Sequence, residues 1–153
     1  MKKMRRFDRL MTSEDAVELL KNGEYGILST VDSEGQPFGT PLSYVFYDGN
    51  LYFHCAKEGT KLDNICNNSK VCFTVVGKTE VLQKDFSTNY ESVMAFGKAS
   101  VVDESEKGNM LMEIVKKYSP DFVKEGEAYK NSDMHKTKVI KIDVETFTGK
   151  HRV

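Results

Sequence analysis

The segment Tyr52-Phe53-His54-Cys55-Ala56-Lys57-Glu58-Gly59-Thr60-Lys61-Leu62-Asp63-Asn64-Ile65 holds the residues best placed to do chemistry. It reads as a strand, a glycine-containing loop and the start of a helix. A helix N-terminus carries unpaired backbone N–H groups and the positive end of the helix dipole, so it attracts anions. Thr60 adds a hydroxyl donor and Lys61 a point charge, while Gly59 lets backbone approach a ligand closely. Together they suit a terminal phosphate. A helix cap followed by a solvated lysine would leave the same pattern, so the local sequence admits both readings.

His54 closes the strand before that loop. An imidazole there can be a structural hydrogen-bonder or a proton-transfer group with a near-neutral pKa. A metal site finds no support, because His135 and His151 lie far along the chain in weakly patterned segments. Nor do His54 and Cys55 make a nucleophilic pair, since consecutive strand residues point to opposite faces. The chain has no GxGxxG after a strand, no GxxxxGK[ST], no GxSxG and no HExxH. This disfavours dinucleotide-binding Rossmann proteins, P-loop enzymes, common serine hydrolases and zincins.

The elements that must carry these residues follow from hydrophobic period and turn chemistry. A first helix begins after Thr12 or Ser13, uses Ala16, Val17, Leu19 and Leu20 as its apolar stripe, and closes at Gly23. Three strands follow, Gly26 to Val31, Phe38 to Tyr47 and Leu51 to Ala56, with Asp32-Ser33-Glu34-Gly35 and Asp48-Gly49 as hairpin turns. Pro41 cannot donate to a ladder, which puts it at an edge, at a bulge or against a ligand. Thr60 is expected to open the next helix in a capping-box-like arrangement with Asp63. Strands are expected at Val71 to Val76 and Glu91 to Val102, with another over Thr79 to Phe86 and a bend at Gly97. Asp103 caps a helix carrying Met110, Leu111, Ile114, Val115 and Tyr118, stopped by Ser119-Pro120. Asp121 to Lys136 is polar, read as one helical turn and a loop, and Val139 to Phe147 closes the sheet. The economical arrangement is a closed antiparallel barrel with helices at its rim, because closure removes exposed strand edges.

Composition narrows the class further. The 153 residues suit one domain, expected to span 1–153, with 39% hydrophobic and 29% charged residues. The net charge of -1, from 22 basic and 23 acidic residues, gives no footprint for nucleic acid, and the basic cluster Lys2, Lys3, Arg5 and Arg6 reads as a solvated start. No run approaches the ~20 apolar residues of a membrane helix. Asp8, Arg9, Ser13, Glu14 and Asp15 break up any signal-like stretch, so a cytoplasmic location is expected. Cys55, Cys66 and Cys72 are odd in number and lack a CxxC pair, which suggests reduced thiols, Cys72 being read as a small buried hydrophobe.

Several blocks, in this order, resemble the nitroimidazole-resistance family of the pyridoxamine 5'-phosphate oxidase-like FMN-binding split barrels. They are Arg5-Arg6-Phe7-Asp8-Arg9, Gly26-Ile27-Leu28-Ser29-Thr30-Val31, Gly35-Gln36-Pro37, Pro41-Leu42-Ser43-Tyr44 and Leu51-Tyr52-Phe53-His54. Gly59-Thr60-Lys61-Leu62-Asp63-Asn64-Ile65, Lys70-Val71-Cys72-Phe73, Glu91-Ser92-Val93 and Phe96-Gly97 continue the series. The resemblance implies a mainly β, antiparallel split barrel that forms a homodimer with flavin mononucleotide, FMN, at the subunit interface. By similarity Thr40, Pro41, Leu42 and Ser43 border the flavin ring, His54 and Cys55 lie along the cofactor, and Thr60 and Lys61 bind its phosphate. His54 is the candidate catalytic residue. The activity implied is an oxidoreductase that passes electrons from a nicotinamide donor, NAD(P)H, to a nitroaromatic or similar small acceptor. Alternatives are a pyridoxamine phosphate oxidase-like oxidase, or a non-enzymatic flavin- or haem-binding protein. The chain lacks the arginine-rich flavin strand of a true pyridoxamine phosphate oxidase, and Lys150, His151 and Arg152 only echo its basic C-terminal motif.

Overall fold

The computed structural model describes residues 3–153, so Lys2 of the basic cluster lies outside the described residues. Seven strands form one antiparallel sheet: β1 (Gly26–Val31), β2 (Pro37–Leu42), β3 (Val45–Tyr47), β4 (Asn50–Ala56), β5 (Lys70–Leu82), β6 (Ser87–Val101) and β7 (Thr137–Arg152). Four α-helices accompany it: α1 (Ser13–Asn22), α2 (Thr60–Asn67), α3 (Glu104–Tyr118) and α4 (Val123–Asp133). Thr12 caps α1 as expected, its hydroxyl accepting the N–H of Asp15 at 3.1 Å. Asp48 and Gly49 both have positive φ, the geometry that joins β3 to β4 in a tight hairpin.

The strand order is β2-β1-β5-β6-β7-β4-β3. Alternation along these strands sends Leu28, Phe53, Phe73, Val75, Val93, Ile140 and Ile142 into one core, which α1 closes with Ala16, Leu19 and Leu20. A second cluster lies under α3, where Met110 and Ile114 meet Val45, Tyr52, Val102 and Val139.

Four expectations are corrected. The barrel is not closed by hydrogen bonds: β2 and β3, adjacent in sequence, are the two ends of the strand order, and the chain crosses the gap through Ser43-Tyr44. One strand over Phe38 to Tyr47 is therefore two, because Tyr44 leaves the ladder. Its ring is fully buried against Phe73, its hydroxyl donates to the Leu20 carbonyl at 2.6 Å, and its N–H donates to the Tyr118 hydroxyl at 2.9 Å. Val71 to Val76 and Thr79 to Leu82 merge into β5, whose ladder with β6 absorbs the interruption as a register shift between Val76 and Thr79, while Gln83–Asp85 form a 3-10 turn outside the strand. Asp121 to Lys136 holds a full helix, α4, supported from outside by α3 rather than by an apolar stripe of its own.

Smaller differences concern single residues. The bend expected at Gly97 is a register shift in the β6–β7 ladder between Phe96 and Gly97. Cys72 lies half-buried on the face away from the core, with Sγ 3.9 Å from Thr74 Oγ1, rather than within it. Cys55 is buried and Cys66 exposed, and all three thiols are free.

Candidate functional site

The loop after β4 turns into α2 at Gly59, whose φ of 142° belongs to a region that only glycine enters without strain. Thr60 opens α2 as expected, but Gly59 is the N-cap, which corrects the capping arrangement expected of Thr60 with Asp63. The Gly59 carbonyl accepts the N–H groups of Leu62 at 3.0 Å and Asp63 at 3.1 Å, and no side chain caps the helix. Thr60 and Lys61 thus occupy the first turn, where amides have no carbonyl behind them. Among the described residues, neither the Thr60 hydroxyl nor the Lys61 ammonium has a hydrogen-bond or ion-pair partner. Nothing lies within 4 Å of where a Gly59 Cβ would stand, so the corner is open.

Burial of Leu62 and Ile65 seats α2 on the barrel, and a buried hydrogen bond orients it. Asn64 Nδ2 donates to Thr30 Oγ1 on β1 at 3.0 Å. Cys55, at the same end of β4, has its thiol pKa pushed up by burial, partly offset by the nearby ammonium groups of Lys61 and Lys138.

Thr40, Pro41, Leu42 and Ser43 run along β2 and into the gap of the barrel. Thr40 pairs with Leu28 and Pro41 with Ile27. Pro41 lies on β2, an end strand of the order, where proline is tolerated. β1 is the shared neighbour: one edge pairs with the Thr40 to Leu42 segment, and its Thr30 holds α2. The far end of the segment is fixed by a knot around Tyr44. The Tyr118 hydroxyl, besides accepting the Tyr44 N–H, lies 2.6 Å from the Glu24 carbonyl and 3.0 Å from that of Tyr44. Lys117 Nζ donates to the Tyr44 carbonyl at 2.9 Å and sits 3.9 Å from the centroid of its ring. Burial holds the Lys117 ammonium down at about 8.

His54 faces the other way. It pairs with Val139 on the side of β4 that α3 covers, opposite to Cys55. It borders a cavity of about 180 Å³ between the sheet, α3 and α4. The residue as a whole is exposed, yet its ring is desolvated against the cavity wall, which lowers its pKa below the usual histidine value. None of Thr40, Pro41, Leu42, Ser43, Cys55, Thr60 or Lys61 lines this cavity. Within the chain the start of α2 and the histidine are thus presented separately. Among the described residues, no three His, Cys, Asp or Glu side chains come together as a metal site requires, and no helix is long and apolar enough to cross a membrane.

A strand-rich sheet with a gap bridged by Ser43-Tyr44 and an open corner at the start of α2 invites comparison with known proteins. The sequence profile described as pyridoxamine 5'-phosphate oxidase matches residues 12–151. The chain belongs to the pyridoxamine 5'-phosphate oxidase family. Its antiparallel sheet is that family's split barrel, as the sequence blocks implied. Among solved structures, a candidate 5-nitroimidazole antibiotic resistance protein from Bacteroides thetaiotaomicron is similar at 25% identity and TM-score 0.80, over 93% of this chain and 86% of that one. The FAD and heme binding protein of Mycobacterium smegmatis is similar at 17% identity and TM-score 0.81, over 94% of this chain and 73% of that one. A flavocytochrome from Azotobacter vinelandii aligns at 21% identity and TM-score 0.79, over 99% of this chain and 72% of that one. No match is found among curated proteins.

Several site-building residues escaped the sequence reading. Asn64 lies among apolar helix positions, and its partner Thr30 lies on a strand 34 residues earlier, so neither signals the other. Tyr118 read only as part of an apolar stripe. Tyr129 and Met134 sit in a polar stretch without a clear hydrophobic period, where no local pattern signals them.

Proposed function

We propose that the protein is a flavoprotein that binds FMN and reduces nitroaromatic or similar small acceptors with electrons from a nicotinamide donor, as a member of the nitroimidazole-resistance branch of its family. The observation that carries the reading is the donor set at the start of α2. The first-turn amides can only donate, the Lys61 ammonium adds positive charge and the Thr60 hydroxyl is free to donate toward a ligand, and they stand on a helix pinned to β1. That set fits a phosphate monoester, and the open side of Gly59 gives it room. Thr40 to Ser43, held by β1 and by the Tyr44 knot, would line the ring portion, and Cys55 would lie beside it.

When bound, the flavin supplies hydride acceptance and onward electron transfer. The chain's own residues bind, orient and supply protons. Lys61 would neutralise phosphate charge, and Thr40 to Ser43 on the β1–β2 edge would orient the ring. Burial lowers the His54 pKa, so its protonated form is a more acidic proton donor than an ordinary imidazolium. The nitro-acceptor class is supported by the likeness to the Bacteroides protein and by the sequence blocks. The names of the mycobacterial and Azotobacter proteins support a flavin.

The same reading makes the protein a homodimer with FMN between subunits. One protomer leaves the α2 corner open, and Val76, Val81 and Met94 form an exposed apolar surface along β5 and β6 that a second copy would cover. Absorbance spectra of the purified protein, before and after addition of FMN, test the reading. Flavin bands that persist through gel filtration are expected. A haem spectrum with no flavin retention would instead favour the haem-binding alternative, and retention of neither would reject both.

A further inference from the structure

The knot that the last turn of α3 ties around Tyr44 also fixes the peptide group just before it. We propose that Tyr118 is a positioning residue for the flavin: by holding the Tyr44 N–H it aims the Ser43 carbonyl outward, to accept the imide N–H of the isoalloxazine ring. The inference rests on the flavoprotein reading, in which Thr40 to Ser43 line the ring.

Geometry supplies the first step. The Tyr118 hydroxyl lies 2.6 Å from the Glu24 carbonyl, to which it donates, and its lone pairs are left for the Tyr44 N–H at 2.9 Å. Lys117 Nζ holds the Tyr44 carbonyl at 2.9 Å, and the Tyr44 hydroxyl donates to the Leu20 carbonyl at 2.6 Å. Tyr44 is therefore fixed at its amide, its carbonyl and its ring. The peptide joining Ser43 to Tyr44 is trans, so its C=O points opposite to its N–H. With that N–H turned toward Tyr118, the Ser43 carbonyl faces away from the Tyr118 hydroxyl.

Chemistry supplies the second. Ser43 is exposed, whereas Tyr44 is fully buried. Among the hydrogen bonds of the described residues, none engages the Ser43 carbonyl or its hydroxyl. A carbonyl can only accept, and the imide N–H is the single N–H donor of an oxidised isoalloxazine, with a ring carbonyl on either side of it. Ser43 offers an acceptor for that N–H and a hydroxyl able to donate to a neighbouring ring oxygen. The link Ser43-Tyr44 lies outside both β2 and β3, so no ladder bond selects its peptide orientation, and the Tyr118 oxygen does.

The test compares FMN with 3-methyl-FMN, whose imide nitrogen carries a methyl group in place of hydrogen, by fluorescence titration of the full-length protein. The wild type is expected to prefer FMN by about tenfold, the loss that follows when a hydrogen bond is removed and its acceptor is left unpaired. Tyr118→Phe keeps the ring packed against the cluster under α3 and removes only the oxygen. This variant is expected to bind FMN more weakly and to lose most of the preference, whereas a merely structural role would weaken both flavins by the same factor. Circular dichroism checks its fold. A folded Tyr118→Phe protein with the preference intact overturns the proposal, and so does equal affinity for the two flavins in the wild type, whatever the variant does. A wild type that binds neither flavin rejects the flavoprotein reading itself and the proposal with it, so the two failures are told apart.

Discussion

Asn64 on α2 donates its side-chain amide to the hydroxyl of Thr30 on β1 at 3.0 Å, and both residues are buried, at 3% and 5% exposure. This contact decides where the first turn of α2, with Thr60 and Lys61, stands against the strand that also carries β2. Apolar seating by Leu62 and Ile65 holds the helix down without choosing its rotation. A buried polar pair chooses it, because any other rotation strands two desolvated groups.

Thr30→Val leaves the Asn64 amide without its partner, so it is expected to destabilise the protein by about 1–3 kcal/mol, and the double variant Thr30→Val with Asn64→Leu should recover part of that loss. Urea denaturation of the three variants and the wild type measures it. Strict additivity of the two single losses would refute a coupled pair.

Lys61→Ala removes the charged donor at the anchor, and FMN affinity should fall by about 1.5–3 kcal/mol, tenfold or more in Kd. Thr60→Val should lose about 1 kcal/mol for a neutral hydrogen bond. Fluorescence titration with FMN reads both. Lys57→Ala, three residues before the helix, serves as the control expected to bind normally, and wild-type affinity in Lys61→Ala would remove the phosphate assignment.

For the oligomer, sedimentation equilibrium with FMN bound is expected to give twice the chain mass. A monomer retaining full flavin occupancy would contradict a site shared between subunits.

His54→Ala is expected to keep flavin and lose acceptor turnover, by roughly the 10²–10⁴-fold of a missing proton-transfer group. Because burial lowers the His54 pKa, the pH profile of the wild type should inflect below 6.5, on the acid side of an ordinary histidine. Steady-state rates across pH for both proteins check it. An alanine variant with the wild-type rate and profile takes His54 out of the mechanism.

Lys117 gives a stability signature at alkaline pH. Its folded pKa of about 8 lies below the unfolded value of 10.5, so between these limits the unfolded chain binds more protons and stability rises with pH. Tyr44 is kept neutral by burial, so its effect begins only above pH 10, where the unfolded phenol ionises. Relative to Lys117→Met, the wild type should therefore gain stability from pH 8 to 10, by no more than about 2–3 kcal/mol. Denaturation curves at pH 8, 9 and 10 follow the difference, and a flat difference would show that the Tyr44 carbonyl and ring hold the ammonium charged.

Local order was legible in the residues themselves. The cap at Thr12, the Asp48-Gly49 hairpin, the β1 span and the α3 stripe all express short-range physics: φ preferences, hydrogen bonds a few residues apart, and period. The turn into α2 was visible for the same reason, since Gly59, Thr60 and Lys61 are neighbours in the chain. Sequence blocks in order also sufficed to point to the family and its barrel.

Tertiary structure alone decided the rest, because the deciding contacts join distant residues. The barrel splits at Ser43-Tyr44 because Tyr118, 74 residues later, takes the Tyr44 N–H that a strand partner would have used. α4 forms over a polar sequence because α3 supplies the surface it rests on. His54 and the Lys61 corner, seven residues apart, face different spaces because strand alternation and the covering helices separate them, which no local pattern records.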